Sequence, residues 1–193
     1  MLSRIVGVDS LDLLRQDGGT VDATTALQGK KYLLLYFSAS WCSPCRLFTR
    51  QLADFYESFH TSHCFEVIFF SRDRGESPMR AYFYNQKYSR LALRGGEGSH
   101  GDWLAVPYAQ AKTLGLSLMQ KYAVHGIPTL LLFDLETGEL LTRNARNLVA
   151  RNLDTAEGFP WAGDTGGELM KGPPWHELLL LLITFAVLYY LWQ

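Results

Sequence analysis

The sequence predicts an α/β fold with a mixed central sheet, followed by a hydrophobic helix at the C-terminus. Three patterns indicate this: apolar runs without polar alternation, apolar residues at helical spacing between those runs, and a late strand that reverses through a tight turn. The 193 residues are enough for one domain with a full hydrophobic core plus additional segments.

The first half of the domain predicts a strand, a helix and a second strand. The run "KYLLLYFSA" (residues 31–39) suits one strand buried on both faces, and "CFEVIFFS" (64–71) suits another. A helix is expected to begin after Cys42, with Pro44 in its first turn, where a missing N–H leaves no hydrogen bond unmade. Its buried face is predicted to comprise Phe48, Leu52, Phe55, Tyr56 and Phe59.

The second half predicts three helices and a hairpin. Ser77 and Pro78 are expected to cap and open a helix that runs to about residue 88, and the polar residues 94–102 are expected to form an exposed loop. The remaining predicted elements are a helix over 114–122, a strand in "GIPTLLLFD", a turn at 136–138, a strand in "ELLTR" and a helix over 147–153. The hairpin adds antiparallel pairing to parallel strand–helix–strand units, which makes the sheet mixed.

Composition divides the chain into three regions. Residues 1–161 carry the alternating strands and helices, 162–174 predict a flexible linker rich in Gly and Pro, and 175–193 predict a membrane anchor. The net charge of −1, without a basic block, argues against nucleic-acid binding. Three cysteines are too few for a secreted disulfide scaffold, and no signal peptide is recognised, so we expect a reducing, cytosol-like compartment.

The predicted anchor contains the uncharged run 178–192. As a helix it would be about 22 Å long, shorter than the roughly 30 Å hydrocarbon core, a mismatch that mild thinning of the bilayer can absorb. Trp175, Tyr189, Tyr190 and Trp192 flank it as interfacial aromatic residues do. The alternative is a helix buried against the domain or in a dimer, which would carry the polar face that this run lacks. We therefore expect a single-pass anchor in the mitochondrial outer membrane or the endoplasmic reticulum, with the domain facing the cytosol.

Two of the three cysteines form a Cys-x-x-Cys motif where the first strand meets its helix. Cys42 is expected at the helix N-terminus, where backbone N–H groups and the helix dipole favour a thiolate at a pH of about 7. A thiolate of this kind attacks disulfides, and Cys45 is close enough, one turn further on, to resolve the mixed disulfide. Ser43 and Pro44 are expected to tune the stability of the reduced form.

A zinc half-site is the alternative interpretation of this motif, and it requires a second pair of ligands. The sole candidate for that second pair in the sequence is Cys64 together with His60 or His63, in "HTSHC". We expect that cluster at the far end of the sheet from Cys42, and we therefore predict no metal site. Cys64 is assigned no role, because a lone cysteine is commonly a small buried apolar residue.

The tripeptide Ile127-Pro128-Thr129 places a proline where a buried strand is expected to open. Proline cannot donate a hydrogen bond to a strand neighbour, so its place there needs a special reason. A cis proline beside the dithiol supplies one, since it leaves a carbonyl and an open backbone edge for an extended substrate. An ordinary loop proline is the alternative.

These motifs together resemble the thioredoxin superfamily and, within it, the tryparedoxin branch, with nucleoredoxin as a cousin. The similarity runs from about residue 11 to residue 161 and includes "YFSASWCSPCR", "FEVIFFS", "WLAVPY", "GIPTLLLFD" and "FPW". The resemblance implies a thioredoxin-like three-layer α/β/α fold. It also implies that Trp41 covers the thiols, that Arg46 is a nearby cation and that Pro128 is the cis proline.

The resemblance further implies a thiol-disulfide oxidoreductase that holds a redox-active disulfide and no bound cofactor. In this family trypanothione recharges the disulfide, and a glutathione-type thiol is a related possibility; peroxidases and other protein disulfides are the acceptors. Tyr36 occupies the place of a buried Asp in ordinary thioredoxins, which looks like the tryparedoxin pattern, although a core aromatic residue explains it equally well. Arg146 falls near basic residues suited to the anionic parts of trypanothione, with a solvated arginine as the alternative.

Three departures from the family pattern precede the tail. Ser43 replaces the first proline of Trp-Cys-Pro-Pro-Cys-Arg, which predicts an altered redox potential. Arg72 replaces the tryptophan of a Ser-Trp-Asp motif, which predicts a different choice of electron donor or partner. Residues 85–101 look like an insertion, either a partner-binding loop or tolerated length.

Three hypotheses for the function follow. The first is a tail-anchored thiol-disulfide oxidoreductase in which Cys42 attacks and Cys45 releases the product. The second is a membrane-anchored redox adaptor or scaffold that binds partners through the fold. The third is an oxidase or isomerase in a lumen, which the lack of a signal peptide opposes.

Overall fold

The computed structural model describes residues 2–84 and 100–164. The helices are α1 (Leu2–Val6), α2 (Ala23–Ala26), α3 (Ser43–Phe59), α4 (Glu76–Phe83), α5 (Tyr108–Lys121) and α6 (Ala145–Arg151). The strands are β1 (Asp12–Leu14), β2 (Thr20–Asp22), β3 (Tyr32–Ser38), β4 (Phe65–Ser71), β5 (Leu104–Ala105), β6 (Thr129–Asp134) and β7 (Leu140–Thr142).

The described strands form one mixed sheet in the order β2-β1-β5-β4-β3-β6-β7. β3 lies at its centre, parallel to β4 and antiparallel to β6, and β6 pairs with β7 as the predicted hairpin. The prediction of an α/β fold with a mixed sheet is therefore confirmed. β3, β4 and β7 all end at the same end of the sheet, and β6 begins there.

Side chains of β3 alternate between two hydrophobic cores, which explains why the sequence of this strand is continuously apolar. Leu34 and Tyr36 face one core, which α3, α4 and α6 cover, whereas Leu33, Leu35 and Phe37 face a second core beneath α1, α2 and α5. A strand between two layers of helices needs apolar side chains on both faces, so no polar alternation remains. The result is the expected three-layer α/β/α arrangement.

Several predicted boundaries were wrong. α5 begins at Tyr108, ahead of the predicted residue 114, because its buried face uses small residues, Ala111 and Gly115, that an apolar count overlooks. A Cβ at Gly115 would lie 3.5 Å from the ring of Phe70, an ordinary van der Waals distance, so α5 packs against β4 at this residue. α4 begins at Glu76 with Gly75 as its N-cap, which places Ser77 inside the helix rather than at its cap.

Other corrections concern α6 and the elements that the sequence did not predict. α6 spans Ala145–Arg151, two residues ahead of the predicted 147–153. The unpredicted elements α1, α2, β1, β2 and β5 have between two and five residues each, too short for a hydrophobic period to show.

The loop over 94–102 was predicted to be exposed; among its described residues this is confirmed for Asp102 and wrong for His100. His100 is buried, with only 9% of its surface exposed. Among residues 2–84 and 100–164 no helix has the length and apolarity needed to cross a bilayer. The predicted anchor at 175–193 lies outside the described residues, as do most of the predicted linker and of the insertion at 85–101.

Candidate active site

The dithiol motif lies where β3 ends and α3 begins. Cys42 is the N-cap residue of α3, with an extended backbone at φ −93° and ψ 105°. Its Sγ accepts a hydrogen bond from the backbone N–H of Cys45 at 3.3 Å. Pro44 lies in the first turn of the helix, as predicted. The sulfur of Cys42 thus occupies the place of a capping oxygen, where unpaired N–H groups stabilise negative charge.

Cys42 and Cys45 form a disulfide, with Cα atoms 5.2 Å apart. Cys42 keeps 6% of its surface exposed and Cys45 none. Cys42 is therefore the more accessible of the two residues. The roles of Cys42 as the attacking thiol and of Cys45 as the resolving thiol stay predictions from the sequence.

The backbone before β6 lies against this disulfide. The Ile127–Pro128 peptide bond is cis, as the sequence predicts. The carbonyl oxygen of Ile127 lies 3.9 Å from Cys42 Sγ, which brings together residues that are 85 positions apart in sequence. Pro128 is buried, whereas Gly126 is exposed and Ile127 half-buried. An extended segment carrying a reacting sulfur can therefore lie along this backbone.

Trp41 and Arg46 lie on either side of the first turn of α3. The indole of Trp41 is 55% exposed, and its Nε1 donates to the carbonyl of Arg72 at 3.3 Å. Arg46 donates from Nη1 to the carbonyl of Ser40 at 2.8 Å and from Nη2 to Ser43 Oγ at 3.4 Å. Both side chains thus tie the dithiol segment to its neighbours, and the Arg46 guanidinium places a positive charge beside Cys42.

Asp73 is a site residue that the sequence analysis did not single out. Its carboxylate accepts from the N–H of Ser40 at 2.9 Å, from Ser40 Oγ at 2.6 Å and from Ser71 Oγ at 2.8 Å. With 8% of its surface exposed, it joins the end of β4 to the loop ahead of Cys42. Its position directly after a buried strand, at the sheet end that also holds the dithiol, was the available signal.

Tyr36 belongs to a buried hydroxyl network beneath the second cysteine. Its hydroxyl lies 2.8 Å from Thr49 Oγ1 and donates to the carbonyl of Cys45 at 3.3 Å. Thr49 also donates to that carbonyl, and Tyr82 and Ser38 extend the network. Burial raises the pKa of Tyr36 well above its ordinary value, so the phenol stays protonated. Within the described residues the Tyr36 hydroxyl bonds to the backbone of Cys45 rather than to a sulfur.

His100 lies next to this network. Its Nδ1 accepts from Trp103 Nε1 at 3.1 Å, and its ring centroid lies 4.4 Å from that of Tyr82 and 4.6 Å from that of Phe69. Burial among these rings lowers the pKa of His100 from its ordinary value near 6.5 to about 3. The imidazole is therefore neutral at physiological pH.

The other arginines of interest take different directions. Arg74 places its guanidinium carbon 5.9 Å from the Trp41 ring centroid, and Arg146 places its own 5.9 Å from the Phe48 ring centroid. The side chain of Arg72 runs towards α5, where its Nη1 would lie 3.9 Å from a Cβ at Gly115. Arg72, the residue that the resemblance places where the family has a tryptophan, thus extends its guanidinium towards α5.

The cluster around Cys64 lies at the opposite end of the sheet, as expected. His60 is the C-cap of α3, and its Nδ1 lies 2.7 Å from the carbonyl of Tyr56. Cys64 precedes β4, and its Sγ faces the carbonyl of Thr61 at 3.6 Å. In the part of the chain that the structure describes, no group of His, Cys, Asp and Glu is arranged to hold a metal ion.

The sequence matches the thioredoxin-like family over residues 29–140, more than half of the chain. It is 39% identical to tryparedoxin of Trypanosoma brucei brucei over 131 residues, which cover 68% of this chain and 79% of that protein. It is also 39% identical to nucleoredoxin of Danio rerio over 151 residues, which cover 77% of this chain and 31% of that longer protein.

The fold is similar to that of solved tryparedoxins. The structure of tryparedoxin II complexed with glutathionylspermidine superposes with a TM-score of 0.67 at 30% sequence identity, covering 81% of this chain and 96% of that one. That relative therefore binds a polyamine conjugate of a γ-glutamyl thiol.

Proposed function

The chain belongs to the thioredoxin-like family and is a thiol-disulfide oxidoreductase, and from this premise we propose that it reduces disulfides of partner proteins while anchored to a membrane by its C-terminal segment. One observation carries the direction of the chemistry: a disulfide whose accessible sulfur, Cys42, caps the N-terminus of α3 beside the cis proline Pro128.

The reduced protein carries out two exchange steps. The Cys42 thiolate attacks one sulfur of the target disulfide, forms a mixed disulfide and expels the other target sulfur as a thiolate. The Cys45 thiol loses its proton and attacks Cys42 Sγ, which closes the intramolecular disulfide and releases the second target sulfur. Two electrons pass to the target, which becomes a dithiol after taking up two protons.

The first turn of α3 favours the first step. The N–H of Cys45 points at Cys42 Sγ, and the helix dipole adds partial positive charge at the same place. Arg46 contributes a full positive charge one turn along the helix. Each of these groups stabilises a thiolate at Cys42, which is the attacking group of the first step.

The relatives supply the proposed partners. Because tryparedoxin is 39% identical to this chain, we extend to it a thiol peroxidase as acceptor and trypanothione or a similar low-molecular-weight thiol as electron donor. Mixing the full chain, in a non-ionic detergent, with trypanothione and a peroxidase of the peroxiredoxin class should give peroxide consumption that depends on both proteins. Consumption that is unaffected by omitting the chain would contradict the acceptor.

A trapping experiment tests the exchange mechanism. In Cys45→Ser protein the mixed disulfide between Cys42 and its target cannot be resolved, so it should accumulate and be visible by non-reducing electrophoresis and mass spectrometry. Cys64→Ser should trap nothing, because Cys64 is at the other end of the sheet. Partner binding that is equal in wild type and in a Cys42→Ser/Cys45→Ser variant would favour the redox adaptor instead.

The membrane proposal concerns residues 175–193, which would insert into the mitochondrial outer membrane or the endoplasmic reticulum and leave the domain in the cytosol. The uncharged run 178–192 supports it. Leu182→Arg together with Val187→Arg would put two charges at the middle of the run, which should shift the protein from the alkali-resistant membrane fraction to the supernatant. An unchanged distribution would exclude the anchor, and protease protection of the domain in intact organelles would exclude the orientation.

A further inference from the structure

Arginines flank the dithiol on both sides of the sheet end where it lies. Arg74 follows β4, Arg46 is in the first turn of α3 after β3, and Arg146 is in the first turn of α6 after β7. Because β4, β3, β6 and β7 are consecutive neighbours in the sheet, Arg74 and Arg146 lie on opposite sides of Cys42. We call these three residues the arginine rim.

Contacts attach each cation of the rim to the segment that holds the dithiol. Arg74 lies over Trp41, which precedes Cys42, at 5.9 Å. Arg146 lies over Phe48 of α3 at the same distance. Arg46 donates to the carbonyl of Ser40. The rim residues are thus attached to the segment 40–48, which carries the dithiol, although Arg74 and Arg146 are themselves exposed.

The rim forms no salt bridge with a carboxylate of the described residues. Among residues 2–84 and 100–164 the salt bridges are Lys30–Glu66 and Arg80–Glu76, and neither involves the rim. Two carboxylates lie close to the rim. Asp73 is almost fully buried and accepts its hydrogen bonds from Ser40 and Ser71. Asp164 is half-buried and accepts from Asn144, the N-cap of α6. The mouth of the site is consequently positive, and an anionic ligand is favoured there.

Building on the proposed disulfide reduction, we propose that, among the low-molecular-weight thiols named above as donors, the Cys42–Cys45 site prefers an unconjugated γ-glutamyl tripeptide of the glutathione class over a polyamine conjugate such as trypanothione. Arg74 and Arg146 bind the two terminal carboxylates of that tripeptide. In such a tripeptide the cysteine is central and each end carries a carboxylate. The site has the complementary arrangement, with the reacting sulfur in the middle and a guanidinium on each side.

The spacing of Arg74 and Arg146 agrees with the length of an extended tripeptide. β4 and β7 are three strand spacings apart, about 14 Å, and an extended tripeptide spans about 10 Å, a difference that two arginine side chains can bridge. Conjugation to a polyamine converts the glycine carboxylate into an amide and adds protonated amines. The conjugate thus loses one attractive contact and brings positive charge towards the rim.

The proposed recharging reaction balances with two tripeptides. The thiolate of the first attacks Cys42 Sγ, the Cys42–Cys45 bond breaks, and Cys45 leaves as a thiolate that takes up a proton. The thiolate of the second attacks the tripeptide sulfur of the mixed disulfide and releases the Cys42 thiolate. Two electrons pass to the protein, and the two tripeptides leave as one oxidised disulfide dimer.

A matched pair of monothiols tests the proposal: reduced glutathione and glutathionylspermidine differ only at the glycine carboxylate. The oxidised full chain, in non-ionic detergent, is mixed with each thiol, quenched with an alkylating agent and analysed by mass spectrometry. Each rate constant is divided by that thiol's rate constant with a small neutral disulfide, which corrects for intrinsic reactivity. At low ionic strength we expect glutathione to be favoured about 10-fold, and the preference to shrink in high salt. Equal corrected rates, or a preference for the conjugate, would overturn the proposal.

Charge variants locate the effect. Arg74→Ala/Arg146→Ala should bring the glutathione preference close to unity, and Arg74→Glu/Arg146→Glu should reverse it. The control Arg15→Ala/Lys31→Ala removes the same two charges at the opposite end of the sheet, where Arg15 shares a cleft with Glu66 and Lys31 pairs with the backbone of Cys64, and should keep the preference.

Two results separate the donor assignment from the proposed function. If protein reduced with dithiothreitol fails to reduce insulin disulfides, the proposed function fails. If it reduces insulin while the arginine variants keep the wild-type preference, or the control loses it equally, only the donor assignment fails.

Discussion

The two ends of the central sheet each carry cysteine, yet they differ in the chemistry they can support. α3 begins at the dithiol and ends beside Cys64, so the positive end of its dipole meets Cys42 and its C-cap is His60. At the dithiol end the arginine rim has no ion-pair partner among the described residues. At the opposite end Lys30 forms a salt bridge with Glu66 at 3.2 Å, and the ring of His60 stacks on that of Tyr56 with the centroids 4.3 Å apart. The comparison indicates that backbone position, rather than the presence of a thiol, makes a cysteine reactive.

Replacing one cysteine at each end should give the largest difference. Cys42→Ser removes the attacking sulfur, so the rate of disulfide reduction should fall roughly 1000-fold or more. Cys64→Ser should keep the wild-type rate, because the Cys64 thiol faces the carbonyl of Thr61 at the end of the sheet away from the dithiol. Both rates are measured with insulin as the disulfide substrate. An equal loss of activity in Cys64→Ser would contradict the claim that only the dithiol end is catalytic.

Replacing the buried carboxylate at each end separates stability from activity. Asp73→Asn puts an amide in place of a carboxylate that accepts from Ser40 and Ser71, and Glu66→Gln does the same to a carboxylate bonded to Tyr56 and Lys30. Each should lower the free energy of unfolding by about 2 kcal/mol, by loss of charged hydrogen bonds.

Only Asp73→Asn should also slow disulfide reduction, by about 5-fold, because Ser40 leads directly into the dithiol segment. Denaturant unfolding and steady-state kinetics provide the two measurements. Equal slowing by Glu66→Gln would indicate a general loss of stability rather than a positioning role of Asp73.

Acid should destabilise the fold through His100. The pKa of His100 lies near 3 in the folded state, below the ordinary 6.5 of the unfolded chain, so the unfolded state binds the extra proton. Stability is therefore complete above about pH 6.5 and declines as the pH falls towards 3, by about 2 kcal/mol at pH 5. His100→Asn should flatten this part of the stability curve. The same slope in wild type and His100→Asn would argue against a neutral buried imidazole.

Removing one tyrosine hydroxyl from each end should give the smallest effects. Tyr36→Phe removes a partner of Thr49 and of the Cys45 carbonyl, and Tyr56→Phe removes a partner of Glu66. Both should cost about 1 kcal/mol of stability. A change in the redox potential of the dithiol is expected for Tyr36→Phe alone, measured by equilibration with a dithiothreitol redox buffer. An equal change in Tyr56→Phe would remove the distinction between the two networks.

Local patterns predicted the parts of the site that lie close together in sequence. The strand before Cys42 and the helix after it each follow from the pattern of a few neighbouring residues. The cis form of Pro128 was predicted only by combining its tripeptide with the distant dithiol motif. The Asp73–Ser40 and Tyr82–Thr49 contacts join residues 33 positions apart, and no spacing rule indicates them. They depend on where β4 and α4 lie after folding.

His100 shows a second limit of sequence analysis. Its glycine-rich surroundings predict an exposed loop, because composition reports the average character of a segment. The structure buries the imidazole among aromatic rings contributed by β4, α4 and the segment before β5. A single residue can enter a core from a polar segment when partners from several elements enclose it.

The central claim is that the first turn of α3 holds Cys42 as a thiolate while Cys64 lacks this support. The most direct test is competitive alkylation of the fully reduced chain with iodoacetamide at pH 6.5, with the modified cysteines identified by mass spectrometry. We predict that Cys42 is modified at least about 10-fold faster than Cys64. Equal rates that rise together only above pH 8 would contradict the claim.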